Sequence, residues 1–311
     1  MLTQIDASAP VVVCAVLLTR EKLREMSGYV KRLDGPKCVS AVHDMRVASR
    51  RLREVLDLFR EYLDPVAFTE LEKTARSVTK ILGPVRNTDV ALRFFRKLQK
   101  RLDEKNQHRA IDRILKRLSA RRKKQYRTMV PAIEQLSLKR LSRDVDIFMH
   151  PPEINDTNSS SVLYELAQPI LHQRLSAAFD YQDVVKDEDN KKELHQMRIA
   201  FKKARYALEI FQPVFNEECA KVLDGLRGYQ ETIGAIHDLD IFTTQCERIL
   251  TKWDKKGKRS KSRKGLRQII QQLVKLRREL FQEFLTYLEE NDPGRMFQDC
   301  EMALQRHKPV P

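Results

Sequence analysis

A basic pattern with helical periodicity occurs twice in this chain. It reads HDMRVASRRLREVLDLF from His43 and HQMRIAFKKARYALEIF from His195. In both copies apolar residues recur at three- and four-residue spacing, which predicts an amphipathic helix. Because the same pattern stands in both halves of the sequence, it indicates an internal repeat. The chain is therefore expected to fold into two similar helical units.

A glycine-containing segment follows each basic helix at a nearly equal distance. It reads ILGPVRNTDV in the first half and TIGAIHDLDI in the second. Gly83 and Gly234 lie inside helical patterns, where glycine costs about 1 kcal/mol relative to alanine, so close helix packing is the expected reason for them. Pro84 predicts a kink or a new helix start in the first half.

Each glycine segment also ends in an aspartate. Asp89 comes three residues after Arg86, and Asp240 comes three residues after His237. On a helix this spacing brings the two side chains of a pair to the same face. We expect each aspartate either to pair with that residue or to orient a basic residue of a neighbouring helix.

The segment between the halves has a different composition. It contains RDVDIFMHPPEINDTNSSS, in which paired prolines and a polar Asn/Ser cluster interrupt the helical pattern and predict a linker. The predicted organisation is a first unit at 1–135, a linker at 136–161 and a second unit at 162–311. With about four helices in each unit, the predicted fold is all-α, with two pseudo-symmetric antiparallel four-helix bundles.

The charge balance favours a polyanionic partner. Lys and Arg number 59 against 43 Asp and Glu, which gives a net charge of +16. Such an excess suits nucleic acid, an anionic membrane surface or polyphosphate, and composition does not choose among them. The five cysteines form no CxxC pair, which is typical of reduced thiols in a cytoplasmic protein. The run APVVVCAVLL is too short to span a bilayer and predicts the buried start of a helix.

The basic residues of each patterned helix share one face. At 100° per residue they form a stripe opposite the apolar residues, with Arg51 beside the first stripe. Arginine binds phosphate oxygens through two parallel hydrogen bonds, and histidine adds a donor that strengthens on protonation. A linear anion is therefore the expected ligand of these stripes. Their members are His43, Arg46, Arg50 and Arg53 in the first half, and His195, Arg198, Lys202 and Arg205 in the second.

Further basic residues at similar places in the two halves extend the predicted surface. For them a solvated surface is an alternative explanation, because scattered exposed charge needs no ligand. The predicted secondary set comprises Arg76, Lys80, Arg86, Arg122, Arg227, His237 and Arg277. The run KWDKKGKRSKSRKG at 252–265 predicts a basic loop and, if it contacts a ligand, a flexible tether.

The motif H-x-x-R-x-x-x-R-R-x-R, its altered second copy and the two glycine segments resemble the CHAD family, whose name stands for conserved histidine α-helical domain. The resemblance extends from about Leu17 to Asn291. It implies two pseudo-symmetric four-helix bundles whose basic surface binds inorganic polyphosphate, and an association with polyphosphate granules. Carried onto this chain, it assigns binding to His43, Arg46, Arg50, Arg51 and Arg53, and to His195, Arg198, Lys202, Lys203 and Arg205.

The chain departs from the family pattern in a few places. Lys202 and Lys203 replace arginines, Ala204 replaces leucine, and Asn87 stands where aspartate is common. Some relatives carry a CYTH domain with an ExExK signature, and this sequence contains no such signature. It also lacks a P-loop and a carboxylate cluster for Mg²⁺, so we expect a binding protein that is not an enzyme and needs no cofactor.

Two other classes of function stay open. A sequence-neutral nucleic-acid-binding protein would use the same charge, although neither stripe carries the interleaved aromatic residues that single-strand binders stack on bases. A metal-binding or phospho-acceptor role for the histidines is disfavoured, because the neighbouring arginines repel a cation. The predicted protein is thus a cytoplasmic polyphosphate-binding protein with no metal and no membrane span.

Overall fold

The computed structural model describes residues 5–35, 38–149, 161–215, 219–255, 257 and 260–306. The predicted all-α class is confirmed, since these ranges contain helices, turns and a single isolated β-bridge between Pro10 and Val162. That bridge places the start of the first helix beside the start of the first helix of the second half. In the described part of the chain, no helix is long and apolar enough to cross a membrane.

Five helices precede the segment at 150–160 and six follow it in the described ranges. The first five are α1 (Val11–Gly28), α2 (Cys38–Leu58), α3 (Pro65–Gln99), α4 (Lys105–Glu134) and α5 (Leu138–Phe148). The others are α6 (Leu163–Phe179), α7 (Lys191–Ile210), α8 (Gln212–Phe215), α9 (Ala220–Lys255), α10 (Ser260–Glu290) and α11 (Pro293–Arg306).

Local sequence explains where several helices begin and how far they run. Helix α1 begins at Val11, inside the apolar run that predicted a buried helix start. The Asp64 carboxylate accepts hydrogen bonds from the backbone N–H groups of Val66 and Ala67 and so caps α3. Helix α3 continues through Pro84 to Gln99, so the alternative of a new helix start at this proline is wrong.

Helix packing follows the same order in both halves. In the first half α1 packs on α2, α2 on α3 and α3 on α4, and in the second half α6 packs on α7, α7 on α9 and α9 on α10. Contacts between α2 and α7 and between α4 and α10 join the halves. The rings of Phe59 and Phe211, which follow the two basic patterns at the same distance, lie 6.2 Å apart where the halves meet.

The buried apolar residues form two clusters, and each cluster takes residues from both halves. The first combines α1, α2, α6 and α7 with the first parts of α3 and α9. The second combines the last parts of α3 and α9 with the first parts of α4 and α10, whose later residues join the first cluster. Along α3 the change from one cluster to the other falls between Val85 and Ala91, and along α9 it falls between Ile236 and Leu239. The glycine segments therefore cross the boundary between the two apolar clusters.

Two segments have a structure different from the one that the sequence predicts. The predicted linker at 136–161 contains α5, which packs on α1 and is held there by Asp146, an ion-pair partner of Arg20 and Arg24. Residues 150–160 of that segment lie outside the described residues. The predicted basic loop at 252–265 is wrong at both ends, because α9 extends to Lys255 and α10 begins at Ser260. Trp253 is buried in the second cluster, and residues 256, 258 and 259 are not described.

Candidate functional site

A cleft of about 300 Å³ lies between α2, α3, α7 and α9, next to the boundary of the two apolar clusters. Helix α2 contributes three residues of its basic stripe, α3 contributes one arginine and α7 contributes another. The cleft is lined by the charged or titratable residues His43, Arg46, Arg50, Arg86, Arg198 and Asp238. Among the described lining residues, Asp238 alone carries a carboxylate. The cleft thus concentrates positive charge.

Gly83 and Gly234, called here the landmark glycines, leave space for arginines of the two stripes. A Cβ at Gly83 would lie 3.1 Å from Nη1 of Arg46, and one at Gly234 would lie 3.8 Å from Nε of Arg198. Arg46 donates a hydrogen bond of 2.7 Å from Nη1 to the backbone oxygen of Thr79. The close approach expected at these glycines is therefore an approach between a basic side chain and a helix backbone, and it is tighter in the first half.

Lys202 of α7 stands beside the cleft in a crowded positive environment. Its burial, together with the charges of Arg50, Arg198 and Arg46, lowers the pKa of its amine to about 7. Burial, with Arg50 and Arg86, lowers the pKa of Arg46 to about 10. Glu54 acts in the opposite direction on Lys202, but it does not outweigh these causes. The free protein therefore holds like charges close together without an equal number of carboxylates beside them.

Burial is also the main cause of the pKa changes at three other cleft residues. It lowers the pKa of His43, and the charges of Arg86, Arg93 and Arg50 act in the same direction. It lowers the pKa of Arg86, whose Nη1 is buried without a hydrogen-bond partner in the described part of the chain. It raises the pKa of the Asp238 carboxyl. A bound anion would satisfy the buried donor and offset the repulsion.

The two motif histidines have different environments. His43 lines the cleft and is partly exposed to solvent, whereas the ring of His195 lies against that of His237 of α9, with centroids 4.6 Å apart and planes tilted by 31°. The Nδ1 atom of His195 is buried, and no described residue forms a hydrogen bond with it. Burial, with the neighbouring Arg198, lowers the pKa of His237. Equal positions in the motif therefore do not give equal access to the cleft.

Other residues of the predicted stripes lie outside the cleft. Arg51 lines a separate cavity of about 630 Å³ together with Arg227. Arg205 donates hydrogen bonds to Gln230 and Glu209. The remaining stripe positions are Arg53, whose buried Nε has no hydrogen-bond partner among the described residues, and the exposed Lys203.

The predicted secondary residues divide in the same way. Arg86 lines the cleft. Arg76 forms an exposed ion pair with Glu72, and Lys80 is exposed on the same helix.

Asp89 and Asp240, the landmark aspartates, each pair with a basic residue of a neighbouring helix, which is the second of the two predicted alternatives. Nε of Arg122 lies 3.0 Å from Asp89, and Nε of Arg277 lies 3.2 Å from Asp240. Both arginines thus tie a neighbouring helix to a landmark helix, and the structure does not bring them to the cleft.

Sequence reasoning missed two charged residues of this region. Asp238 follows His237 directly, but it has no counterpart in the first half, where Asn87 stands at the aligned position. Arg93 lies two helical turns after Arg86 on α3, and its charge is among the causes that, after burial, lower the pKa of His43 and of Arg86. Extending the helical spacing from Arg86 along α3 would have found it.

Comparisons with known proteins agree on the fold. The sequence profile of the family described as CHAD domain matches residues 18–247. The crystal structure of the CHAD domain from the plant Ricinus communis is similar over 98% of this chain and 95% of its own, with a TM-score of 0.61 and 17% identity. PptA from Streptomyces chartreusis is similar over 89% of this chain and 100% of its own, with a TM-score of 0.66 and 15% identity. No curated protein matches the sequence. Because the profile covers most of the chain, the protein belongs to the CHAD family.

Proposed function

We propose that this protein binds inorganic polyphosphate in the cleft between α2 and α7. The proposal depends on the close grouping of Arg46, Arg50, Arg198 and Lys202. Burial and the charges of the three arginines lower the pKa of Lys202 to about 7. A linear polyanion would neutralise all four and release its counterions. Arginine forks would add bidentate hydrogen bonds to phosphate oxygens, which dispersed lysines do not supply.

The proposal extends to the organisation of the chain. We infer that the halves at 1–135 and 162–311 arose by duplication and form two pseudo-symmetric four-helix units. The matching order of helix contacts supports this inference, as do the matching Asp89–Arg122 and Asp240–Arg277 pairs. Because each apolar cluster takes residues from both halves, the units are expected to fold together and not separately.

We further propose that the protein binds without catalysis and without a cofactor, in the cytoplasm and at polyphosphate granules. In the described ranges, no group of three or more His, Cys, Asp or Glu residues is placed to hold a metal ion. A test for hydrolysis of long-chain polyphosphate in the presence of Mg²⁺ checks the first part. Release of orthophosphate that requires Arg50 would overturn it.

The competing function is sequence-neutral binding of nucleic acid. A cleft of about 300 Å³ accommodates a narrow linear chain, whereas a duplex would contact only its rim. Binding of labelled long-chain polyphosphate, followed by fluorescence anisotropy at about 0.15 M salt and competed with duplex DNA, separates the two functions. We expect polyphosphate to remain bound when DNA is in excess. Equal displacement by DNA would put nucleic acid first.

Two matched double variants test the site itself. Arg50→Ala/Lys202→Ala removes charge from the cleft, and Arg51→Ala/Lys203→Ala removes the same charge from the adjacent positions on the same two helices. We expect the first variant to weaken binding by about 30-fold or more, since a charged hydrogen bond contributes about 1.5–3 kcal/mol, and the second by less than about threefold. Equal losses would show that binding depends on total charge and not on the cleft.

A further inference from the structure

A second basic surface lies beside the last turns of α3. A groove of about 320 Å³ there, called the α3 groove, is lined by Arg93, Arg96, Lys97 and Lys100. Their i, i+3, i+4, i+7 spacing brings all four to one helix face. All four side chains are exposed, and no residue in the described ranges forms an ion pair with them. The only carboxylate that lines the groove within those ranges, Asp89, is already paired with Arg122.

The α3 groove lies farther along the same helix as the cleft, because Arg86 lines the cleft and Arg93, two turns later, lines the groove. Arg93 is close enough to act on cleft residues: after burial, its charge is among the causes that lower the pKa of His43 and of Arg86. Arg86 and Arg93 of α3 and Lys100, which follows its last residue, succeed one another at two-turn intervals, so their Cα atoms span about 21 Å at 1.5 Å rise per residue. A cation thus stands at every second turn from the cleft to the end of the helix.

The aligned groove beside α9 has a different charge. When Asp89 is aligned with Asp240, Arg93, Arg96 and Lys100 correspond to Thr244, Glu247 and Thr251, and Lys97 corresponds to Arg248, which does not line the aligned groove. This α9 groove, of about 310 Å³, is lined by four carboxylates, of Glu188, Asp189, Asp240 and Glu247.

The three cations of the α9 groove are all paired within it. Lys191 lies 3.8 Å from Asp240, Arg277 lies 3.6 Å from Glu188, and Arg278 lies 3.8 Å from Glu188. Among its described lining residues, the α9 groove therefore offers a polyanion no unpaired cation, and its carboxylates outnumber its cations.

We propose, on the basis of the proposed function, that a long polyphosphate chain leaves the cleft on one side only, along the α3 groove. Arg93 joins the cleft to the groove, and Arg96, Lys97 and Lys100 bind successive phosphates of the chain. The carboxylates of the α9 groove repel the chain from the opposite exit. A pseudo-symmetric protein thereby binds its ligand asymmetrically.

The experiment compares three variants with two ligands by isothermal titration calorimetry. Arg96→Ala/Lys97→Ala/Lys100→Ala removes the outer part of the α3 groove and leaves Arg93, which also acts on the cleft. Lys139→Ala/Arg140→Ala/Arg143→Ala removes the same charge from α5, which packs on α1. Arg50→Ala/Lys202→Ala changes the cleft. The ligands are tripolyphosphate, which the cleft alone accommodates, and long-chain polyphosphate.

We expect the α3-groove variant to bind long chains about tenfold more weakly and tripolyphosphate within about twofold of the wild type. The slope of log Kd against log salt for long chains should decrease by about 2, at roughly 0.7 per lost phosphate contact on a single chain. The α5 variant should change neither ligand by more than about twofold. The substituted groove residues Arg96, Lys97 and Lys100 are exposed, and thermal unfolding verifies that each variant folds.

If the α3-groove variant loses no more affinity for long chains than the α5 variant, the one-sided path is wrong. The proposed function survives that result as long as Arg50→Ala/Lys202→Ala loses both ligands. If the cleft variant keeps both ligands, the proposed function fails instead. The two failures are therefore distinguishable.

Discussion

The α3 and α9 grooves stand at aligned places in the two halves but differ in charge. Each lies beside a landmark aspartate that pairs with an arginine of the next helix, Arg122 or Arg277. The α3 groove adds four cations that have no ion-pair partner among the described residues, whereas the three cations of the α9 groove pair with Glu188 or Asp240. The repeat thus keeps the interactions that hold helices together, while the residues on its surface have diverged. Under the proposed function, the first half has a binding surface that the aligned groove of the second half does not offer.

The largest difference between the halves is expected in stability, at the landmark aspartates. The side chain of Asp89 is 4% exposed, and that of Asp240 is 26% exposed. Without Asp240, Arg277 retains Glu188, whose backbone oxygen accepts its hydrogen bond at 2.9 Å. Without Asp89, Arg122 retains only the weak acceptor Cys38 among its described hydrogen bonds.

We therefore expect Asp89→Ala to lower the free energy of unfolding by about 3 kcal/mol and Asp240→Ala by about 1 kcal/mol. Urea denaturation followed by circular dichroism measures both values. Equal costs would mean that the two pairs have the same role despite their different burial.

The next effect comes from Lys202, which stands at the position of the second basic pattern that corresponds to Arg50 in the first. In the free protein the pKa of Lys202 is about 7, lowered mainly by burial. A polyanion favours the protonated amine, so affinity increases as the pH falls through 7. Between pH 8.5 and pH 6 we expect about tenfold tighter binding of long-chain polyphosphate, since one pKa unit corresponds to about 1.4 kcal/mol.

Two variants show which residue causes this pH dependence. Lys202→Arg keeps the charge at both pH values and should remove most of the change. His43→Gln should leave it in place above pH 6.5, because the pKa of His43 is lowered from its ordinary value by burial. Fluorescence anisotropy across this pH range distinguishes the two residues, and a change that disappears only in His43→Gln would contradict the role of Lys202.

Adding positive charge to the α9 groove tests whether the two grooves differ only in their side chains. Thr244→Lys/Glu247→Lys gives the α9 groove two cations at the positions aligned with Arg93 and Arg96. We expect about fivefold tighter binding of long-chain polyphosphate and a steeper salt dependence, with no change for tripolyphosphate. The same titration with Thr244→Gln/Glu247→Gln controls for the lost carboxylate. No gain over this control would show that the backbone path, and not the charge, excludes the chain.

The smallest effect is expected at the two landmark glycines. A methyl group at Gly234 meets Arg198 at an ordinary distance of 3.8 Å, so Gly234→Ala should stabilise the protein by about 0.5–1 kcal/mol through helix propensity. At Gly83 it would approach Nη1 of Arg46 to 3.1 Å and displace a guanidinium that is bonded to Thr79. Gly83→Ala should therefore gain no stability and weaken polyphosphate binding by about threefold. Thermal unfolding and anisotropy together measure this contrast.

The sequence predicted the helices better than the segments between them. Apolar residues at helical spacing identified α2, α7 and the glycine helices, because a stripe of buried side chains leaves a periodic record in the chain. Helix α5 and the last turn of α9 were missed, since their neighbouring prolines, glycines and dense charge are typical of loops. Their helical state depends on contacts such as Asp146 with Arg20 and on the burial of Trp253.

For the candidate site, the sequence identified residue types but not their surroundings. His43 and His195 occupy equal positions in the motif, yet one borders the cleft and the other stacks on His237. Arg51 lies beside the first stripe and Arg205 in the second, but nearby carboxylates interact with both. Which basic residues face each other across two helices depends on the packing angle and separation of those helices, and a one-dimensional periodicity does not contain them.

The sequence by itself determined the all-α class, the doubled basic helix and the family, because all three depend on residue types at fixed spacing along one chain. Only the tertiary structure decided that Arg46, Arg50 and Arg198 line one cleft with Lys202 beside it, and that the aligned grooves differ in charge. The physical reason is that electrostatic energy depends on distance and burial in space. Both are set by helices that lie far apart in the sequence.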